Sequence, residues 1–233
     1  MTIDDKFLLI RNYHLWSALS DEDMQELNVL QCFMKAKKGD YIYFDSHLHN
    51  RLYFVKEGYV KIGYVKEDGD EVIKEIISRG EIFGQFTLER NNLNGEFAQA
   101  YKNDVCLCSF KIEDFENILQ RKPQLAITFS KMVGNKLRDA EFRLINLLNN
   151  DVRSRLLSFM YRQCLNHGET KDQRRYICDN FFTHDDIARL IGASRQTVTS
   201  TINQLEKEGL LFMDRRQILV PNLKKIENAA IVG

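Results

Sequence analysis

The 233-residue chain has no apolar run long enough to cross a bilayer, which excludes a membrane-spanning helix. Its start, Met1-Thr2-Ile3-Asp4-Asp5, lacks the basic-then-apolar pattern of a secretion signal, so the expected compartment is the cytoplasm. Five cysteines, Cys32, Cys106, Cys108, Cys164 and Cys178, are odd in number and scattered, which argues against a disulfide framework. Charge of one sign is also missing: 33 Lys plus Arg balance 33 Asp plus Glu, so the bulk charge points to no polyanionic partner. The imbalance is local. From Asn150 onward there are 13 basic and 10 acidic residues, a net of +3, and only one face of a nucleic-acid-binding domain has to be basic. No H-E-x-x-H, G-x-S-x-G or Walker loop is present, and the Gly80–Gly84 turn is not a G-x-G-x-x-G, so catalysis and a metal centre are not expected.

What is present changes texture twice. The first 30 residues read as helical, with Ser20 and Asp23 as a capping box ahead of Met24, Leu27 and Leu30. From Phe33 to Phe110, strand-like runs (Tyr41–Phe44, Leu52–Val55, Tyr59–Val65, Glu71–Ile77, Asp104–Phe110) alternate with turn signals at Gly39-Asp40, Glu57-Gly58, Asp68-Gly69-Asp70 and Arg79-Gly80. Short, closely spaced strands of this kind predict a small β-roll or barrel. Val105, Leu107 and Ser109 fall on one face of the last strand, and Cys106, Cys108 and Phe110 on the other.

Helical spacing then returns. Lys111–Gln120 is a short helix, and Pro123 fits the first turn of a long one. In the long helix Ala126, Ser130, Val133, Leu137, Ala140, Leu144 and Leu147 follow a 4-3-4-3 rhythm, the seam of a coiled coil or an ordinary core stripe. Leu148–Asp151 is a hinge candidate. A further helix spans Val152–Leu165, and the polar stretch Glu169–Arg175 reads as a loop.

The most informative segment is Phe182–Leu205. Thr183 caps a first helix with Asp186 three residues on, and Ile187, Leu190 and Ile191 form its apolar face. Ala188 is small where two helices must cross, Gly192 permits the sharp turn, and Ser194 caps a second helix with Val198, Ile202 and Leu205 inward. That is a helix-turn-helix. The outward residues Arg195, Gln196, Thr199, Ser200 and Asn203 are hydrogen-bonding groups near the helix N-terminus, the end that meets base edges in the major groove. Arg suits guanine and Gln suits adenine, while Ser194 and Thr197 can reach phosphates. Leu210–Met213 and Gln217–Val220 read as the strands of a wing with Arg215 and Arg216 at its tip.

Gly58-Tyr59-Val60-Lys61, Gly80-Glu81-Ile82-Phe83-Gly84, the long helix, and Ile187-Ala188 through Ser194-Arg195-Gln196-Thr197-Val198 together resemble the Crp/Fnr superfamily of transcription regulators, over almost the whole chain. The resemblance implies an α+β architecture: residues 1–122 as a cyclic-nucleotide-binding-like β-roll sensor, 123–149 as a central dimerisation helix, and 150–233 as a winged helix-turn-helix. It implies a homodimer paired through Val133, Leu137, Ala140, Leu144 and Leu147, bound to a pseudo-palindromic duplex, and contact with RNA polymerase if the protein activates. Any effector would sit near Gly80, Glu81, Gly84, Gln85, Asn94 and Gly95. Members that bind cyclic AMP carry a Glu and an Arg-Ser pair there. Gln85 and Asn94-Gly95 replace them, so cyclic AMP is not expected and no other cofactor is assigned. An iron–sulfur centre is not expected with Cys32 alone near the N-terminus. Cys106 and Cys108 read as core thiols and His47-Leu48-His49 as a surface loop. In the reading helix Arg195 matches the cyclic-AMP activators, but Gln196 and Ser200 replace a Glu and an Arg, which implies a different half-site. The competing reading is a small-molecule sensor whose helical hairpin binds protein.

Overall fold

The computed structural model describes residues 20, 22, 33–44, 50–84, 86, 95–172 and 175–231, so the expected N-terminal helices, Cys32 and the His47–His49 stretch lie outside the described residues. The chain divides into two compact units, 1–137 and 138–233.

Among the described residues the first unit has six strands: β1 (Phe33–Ala36), β2 (Tyr41–Phe44), β3 (Arg51–Val65), β4 (Glu71–Ile77), β5 (Ile82–Gly84) and β6 (Glu96–Lys111). They form one antiparallel sheet in the order β1-β6-β3-β4, with β2 added on β6 and β5 on β3. Two strands of about 15 residues carry the sheet, because β3 and β6 pair along most of their length, from Arg51↔Lys111 to Tyr64↔Glu96. The period-2 alternation serves two separate cores. Tyr53, Val55, Val105 and Leu107 turn into the roll with Tyr43, Val60, Ile62 and Phe83. Leu52, Phe54, Cys108 and Phe110 turn the other way. There they meet Ile112, Phe115, Ile118 and Leu119 of α1 (Ile112–Arg121) and Leu125 and Phe129 at the start of α2 (Pro123–Asn149). Both faces of β6 expected from alternation are therefore buried, and Cys108 is a core thiol while Cys106 is half-buried.

One turn expected from sequence is absent. Glu57-Gly58 does not separate two strands but lies inside β3, where the pairing register shifts on both sides of Glu57. The cause is on the opposite strand. Between Cys106 and Tyr101, β6 makes an excursion with Lys102 at φ 65°, and Gly58 at φ 88° bends to meet it. A Cβ at Gly58 would stand 2.5 Å from the Asp104 carbonyl oxygen. Glycine here marks a bulge and close backbone approach, two uses that a sequence cannot tell from a turn. The turns at Gly39, Gly69 and Gly80 stand where expected, each glycine with positive φ.

The second unit begins within α2 and continues with α3 (Val152–His167), β7 (Glu169–Asp172), β8 (Arg175–Asp179), α4 (His184–Ile191), α5 (Arg195–Lys207), β9 (Phe212–Met213), β10 (Gln217–Val220) and α6 (Leu223–Ile231). The expected loop at Glu169–Arg175 is instead an antiparallel hairpin, Glu169↔Ile177 to Asp172↔Arg175. The sequence of β7, Glu169-Thr170-Lys171-Asp172, is polar, so neither apolar alternation nor β-branched density announces the strand. Strand order β7-β8-β10-β9 extends the wing into a four-stranded sheet. The corner between α2 and α3 is polar and closed: buried Asn146 accepts from Asn150 Nδ2 at 2.7 Å and from Ser158 Oγ at 3.2 Å, and Asp151 caps α3 by accepting from the Ser154 amide. That amide bond holds the Asp151 carboxyl below the ordinary carboxylate range. Cys164 and Cys178 are buried free thiols in contact. Donation to Cys178, with burial second, pushes the Cys164 thiol up.

Gly58→Ala should lower unfolding free energy in urea by the strain of left-handed backbone, about 1–2 kcal/mol, plus the cost of displacing β6. Gly69→Ala, with a similar φ but nothing within 4 Å of its Cβ, should cost the strain alone.

Candidate nucleic-acid interface

The helix pair α4–α5 is terminated by its own side chains. Thr183 Oγ1 accepts from the Asp186 amide at 3.1 Å, and the Asp186 carboxylate accepts from the Thr183 amide at 2.6 Å, a reciprocal capping box. Asp186 is buried, so this carboxylate would be costly without those donors. Gly192 ends α4 in the left-handed region, φ 64° and ψ 51°, and two residues later Ser194 Oγ accepts from the Thr197 amide at 3.0 Å to start α5. Ile187, Ala188 and Ile191 of α4 and Val198, Ile202 and Leu205 of α5 are buried, while Leu190 is half-buried. They share the unit's interior with Leu156, Met160, Leu211, Ile218 and Ile226.

With one side of α5 committed to the core, the other is fixed by helical periodicity. Ser194, Arg195, Gln196, Thr197, Ser200 and Asn203 are exposed, and Thr199 is half-exposed. The hydroxyls are not idle. Ser194 and Thr197 share a 2.8 Å hydrogen bond, and Ser200 Oγ donates to the Thr197 carbonyl. Thr199 Oγ1 donates to the Arg195 carbonyl at 2.9 Å. His184 Nδ1, at the head of α4, lies 2.8 Å from that same Thr199 oxygen. Sequence reasoning passed over His184. Its position directly after the Thr183 cap, facing the second helix, was the signal available.

The wing is a tight hairpin. Asp214 N donates to the Gln217 carbonyl, and Asp214 Oδ1 accepts from the amides of Arg216 and Gln217 at 2.6 and 2.8 Å. Those bonds, Arg216's first, hold the Asp214 carboxyl below its ordinary range and so keep it an anionic acceptor. Arg215 and Arg216 stand exposed at the tip. At the other end of α5, Arg153 of α3 grips Glu208 through both guanidinium nitrogens.

Along α2 the seam residues part company. Val133, like Ala126, is half-buried against the core of the first unit. Leu137, Ala140, Leu144 and Leu147 are exposed, joined by Ile127, Ile145 and Leu148.

In the roll, Gly80 and Gly84 have positive φ, and Glu81 folds back to accept from the Ser78 amide at 2.7 Å and hydroxyl at 3.1 Å. Gly95, φ 79°, precedes β6, while Gln85 and Asn94 lie outside the described residues. The next residue, Glu96, is buried and takes hydrogen bonds from Tyr43 at 2.8 Å and Tyr64 at 2.9 Å and an ion pair from Lys74 at 3.2 Å. Burial first, then the Glu96 charge, pushes both phenols above their ordinary range. Among the described residues no three His, Cys, Asp or Glu side chains gather to hold a metal, and no helix is long and apolar enough to cross a membrane.

Comparison with known proteins agrees with both units. The family model of the cyclic nucleotide-binding domain matches residues 33–122, and that of the Crp-like helix-turn-helix domain matches residues 154–229. The chain is 28% identical over 193 residues to the global nitrogen regulator of Nostoc sp. (strain PCC 7120), covering 82% of this chain and 85% of that protein. It is 26% identical over 196 residues to the cyclic AMP receptor protein of Thermus thermophilus, covering 83% and 85%. In fold it is similar to FixK2 from Bradyrhizobium japonicum, with a TM-score of 0.72 at 22% identity over 84% of this chain and 95% of that one. A CooA mutant from Carboxydothermus hydrogenoformans is similar at a TM-score of 0.72 and 24% identity, covering 99% and 98%.

Thr183→Ala removes the side-chain half of the capping box and takes the Thr183 hydroxyl acceptor from the Asp186 amide. It should cost about 0.5–2 kcal/mol of stability, read as a lower urea midpoint, and Thr183→Ser should restore most of it.

Proposed function

We propose how this chain, which belongs to the Crp/Fnr superfamily of DNA-binding transcription regulators, engages its operator: as a homodimer that lays α5 of each subunit in the major groove of a pseudo-palindromic site. The observation that carries this reading is the outward face at the start of α5. Arg195, Gln196, Ser200 and Asn203 are exposed there on a helix capped by Ser194 and anchored by Val198, Ile202 and Leu205. Arg195 and Gln196 have the geometry for bidentate bonds to guanine and adenine. Ser194 and Thr197 on the helix, with Arg215 and Arg216 on the wing, face phosphates. Pairing uses the exposed apolar run of α2 around Leu137, Ala140, Leu144 and Leu147, extending to Val133; lone subunits would leave that run in water. The protein is a binder rather than an enzyme and acts in the cytoplasm, where its duplex lies.

The roll works without cyclic AMP. Beside Gly95, Lys74 is engaged by Glu96, so a nucleotide phosphate approaching that lysine would meet a carboxylate already paired with it. An effector, if one gates the dimer, must act by preferring one arrangement of it.

Selection of bound sequences from random duplexes, with and without cyclic AMP, tests this directly. The expected product is one two-fold symmetric motif, unchanged by the nucleotide, whose binding weakens steeply with salt as counterions are released. Recovery of a single asymmetric half-site would overturn the homodimer. Absence of salt-dependent duplex binding would favour a sensor whose helical hairpin contacts protein. Arg195→Ala should cost about 1–3 kcal/mol of affinity and relax one base position per half-site, measured by titration of single-base variants of the selected site.

A further inference from the structure

We propose that Thr199 reads a thymine through its methyl group, and that His184 is the positioning residue that commits it to this role. The inference rests on the base-reading assignment of α5 above and names the chemistry of one position in it.

A threonine hydroxyl has one proton and two lone pairs. The Arg195 carbonyl, 2.9 Å from Thr199 Oγ1, can only accept, so the single proton is spent on it. The contact from His184 Nδ1 at 2.8 Å must then run the other way: the ring nitrogen carries a proton and donates it to the threonine oxygen. Thr199 is thus bonded on both sides, to the backbone of its own helix and to the head of α4. It has no proton left for a base acceptor, and its hydroxyl is turned back toward the protein. One lone pair stays on the oxygen, but both bonds hold that oxygen toward the protein, so the group this half-exposed threonine offers the groove is its methyl. The major-groove partner of a methyl is the 5-methyl of thymine. Without His184 the oxygen would still bond to the carbonyl four residues back, as threonines in helices do, but the second tie would be gone and the side chain could change rotamer.

The test uses the full-length protein and its selected duplex. Each thymine of the half-site is replaced in turn by deoxyuridine, which removes only the 5-methyl. Wild-type protein should lose about fourfold in affinity per half-site at one thymine, the loss expected for one buried methyl, and tolerate the replacement elsewhere. Thr199→Val keeps the methyl and should keep that penalty; Thr199→Ser keeps the hydroxyl and should abolish it. His184→Ala should reduce the penalty while leaving salt-dependent binding to unrelated duplex unchanged. Deoxyuridine tolerated at every position by the wild type, or an equal penalty in Thr199→Ser, overturns the proposal while leaving the DNA-binding reading intact. Failure of the wild type to bind any duplex overturns both.

Discussion

A single left-handed residue decides where the reading head begins. Gly192 reverses the chain between α4 and α5 at φ 64° and ψ 51°, in a region that other residues enter at a cost. A Cβ there would come within 2.9 Å of a Leu147 methyl and 3.4 Å of an Arg155 nitrogen, both the far ends of side chains that can give way. Conformation rather than space therefore selects glycine. Once the turn is set, the Ser194 cap falls in place, the phase of α5 follows, and the residues that turn outward are no longer free to vary. The capping box at Thr183 and the buried triplet Val198, Ile202 and Leu205 hold the two sides of that geometry.

Electrostatics is spent sparingly and locally. A chain with no net charge exposes Arg195, Arg215 and Arg216 on one unit, while carboxylates of the same unit are occupied. Asp186 is sealed in its cap, Asp214 is turned onto wing amides and Glu208 is held by Arg153. Carboxylates directed in this way at protein donors repel an approaching anion less.

The second unit was legible because its signals are local. Caps, a turn glycine and helical periodicity each act within four residues, and all of Thr183, Gly192, Ser194, Val198, Ile202 and Leu205 stand as the sequence led one to expect. What escaped was set by partners distant in sequence. Gly58 reads as a turn because the feature it answers, the excursion of β6 near Asp104, lies more than forty residues away. The β7–β8 hairpin carries no such signal because a polar strand needs only a partner's backbone, which composition does not reveal. His184 carries no sequence signal because its contact, with the Thr199 hydroxyl, is made across the turn between two helices.

The long strands β3 and β6 each line two cores, with Tyr53, Val55, Val105 and Leu107 facing one and Leu52, Phe54, Cys108 and Phe110 the other. Sliding either strand by one residue would exchange the contents of both interiors at once, so slippage along the sheet is closed as a mode of motion. The motion left to the paired ribbon is a tilt or twist as a whole, and the first turns of α2, at Leu125 and Phe129, are packed against its far side.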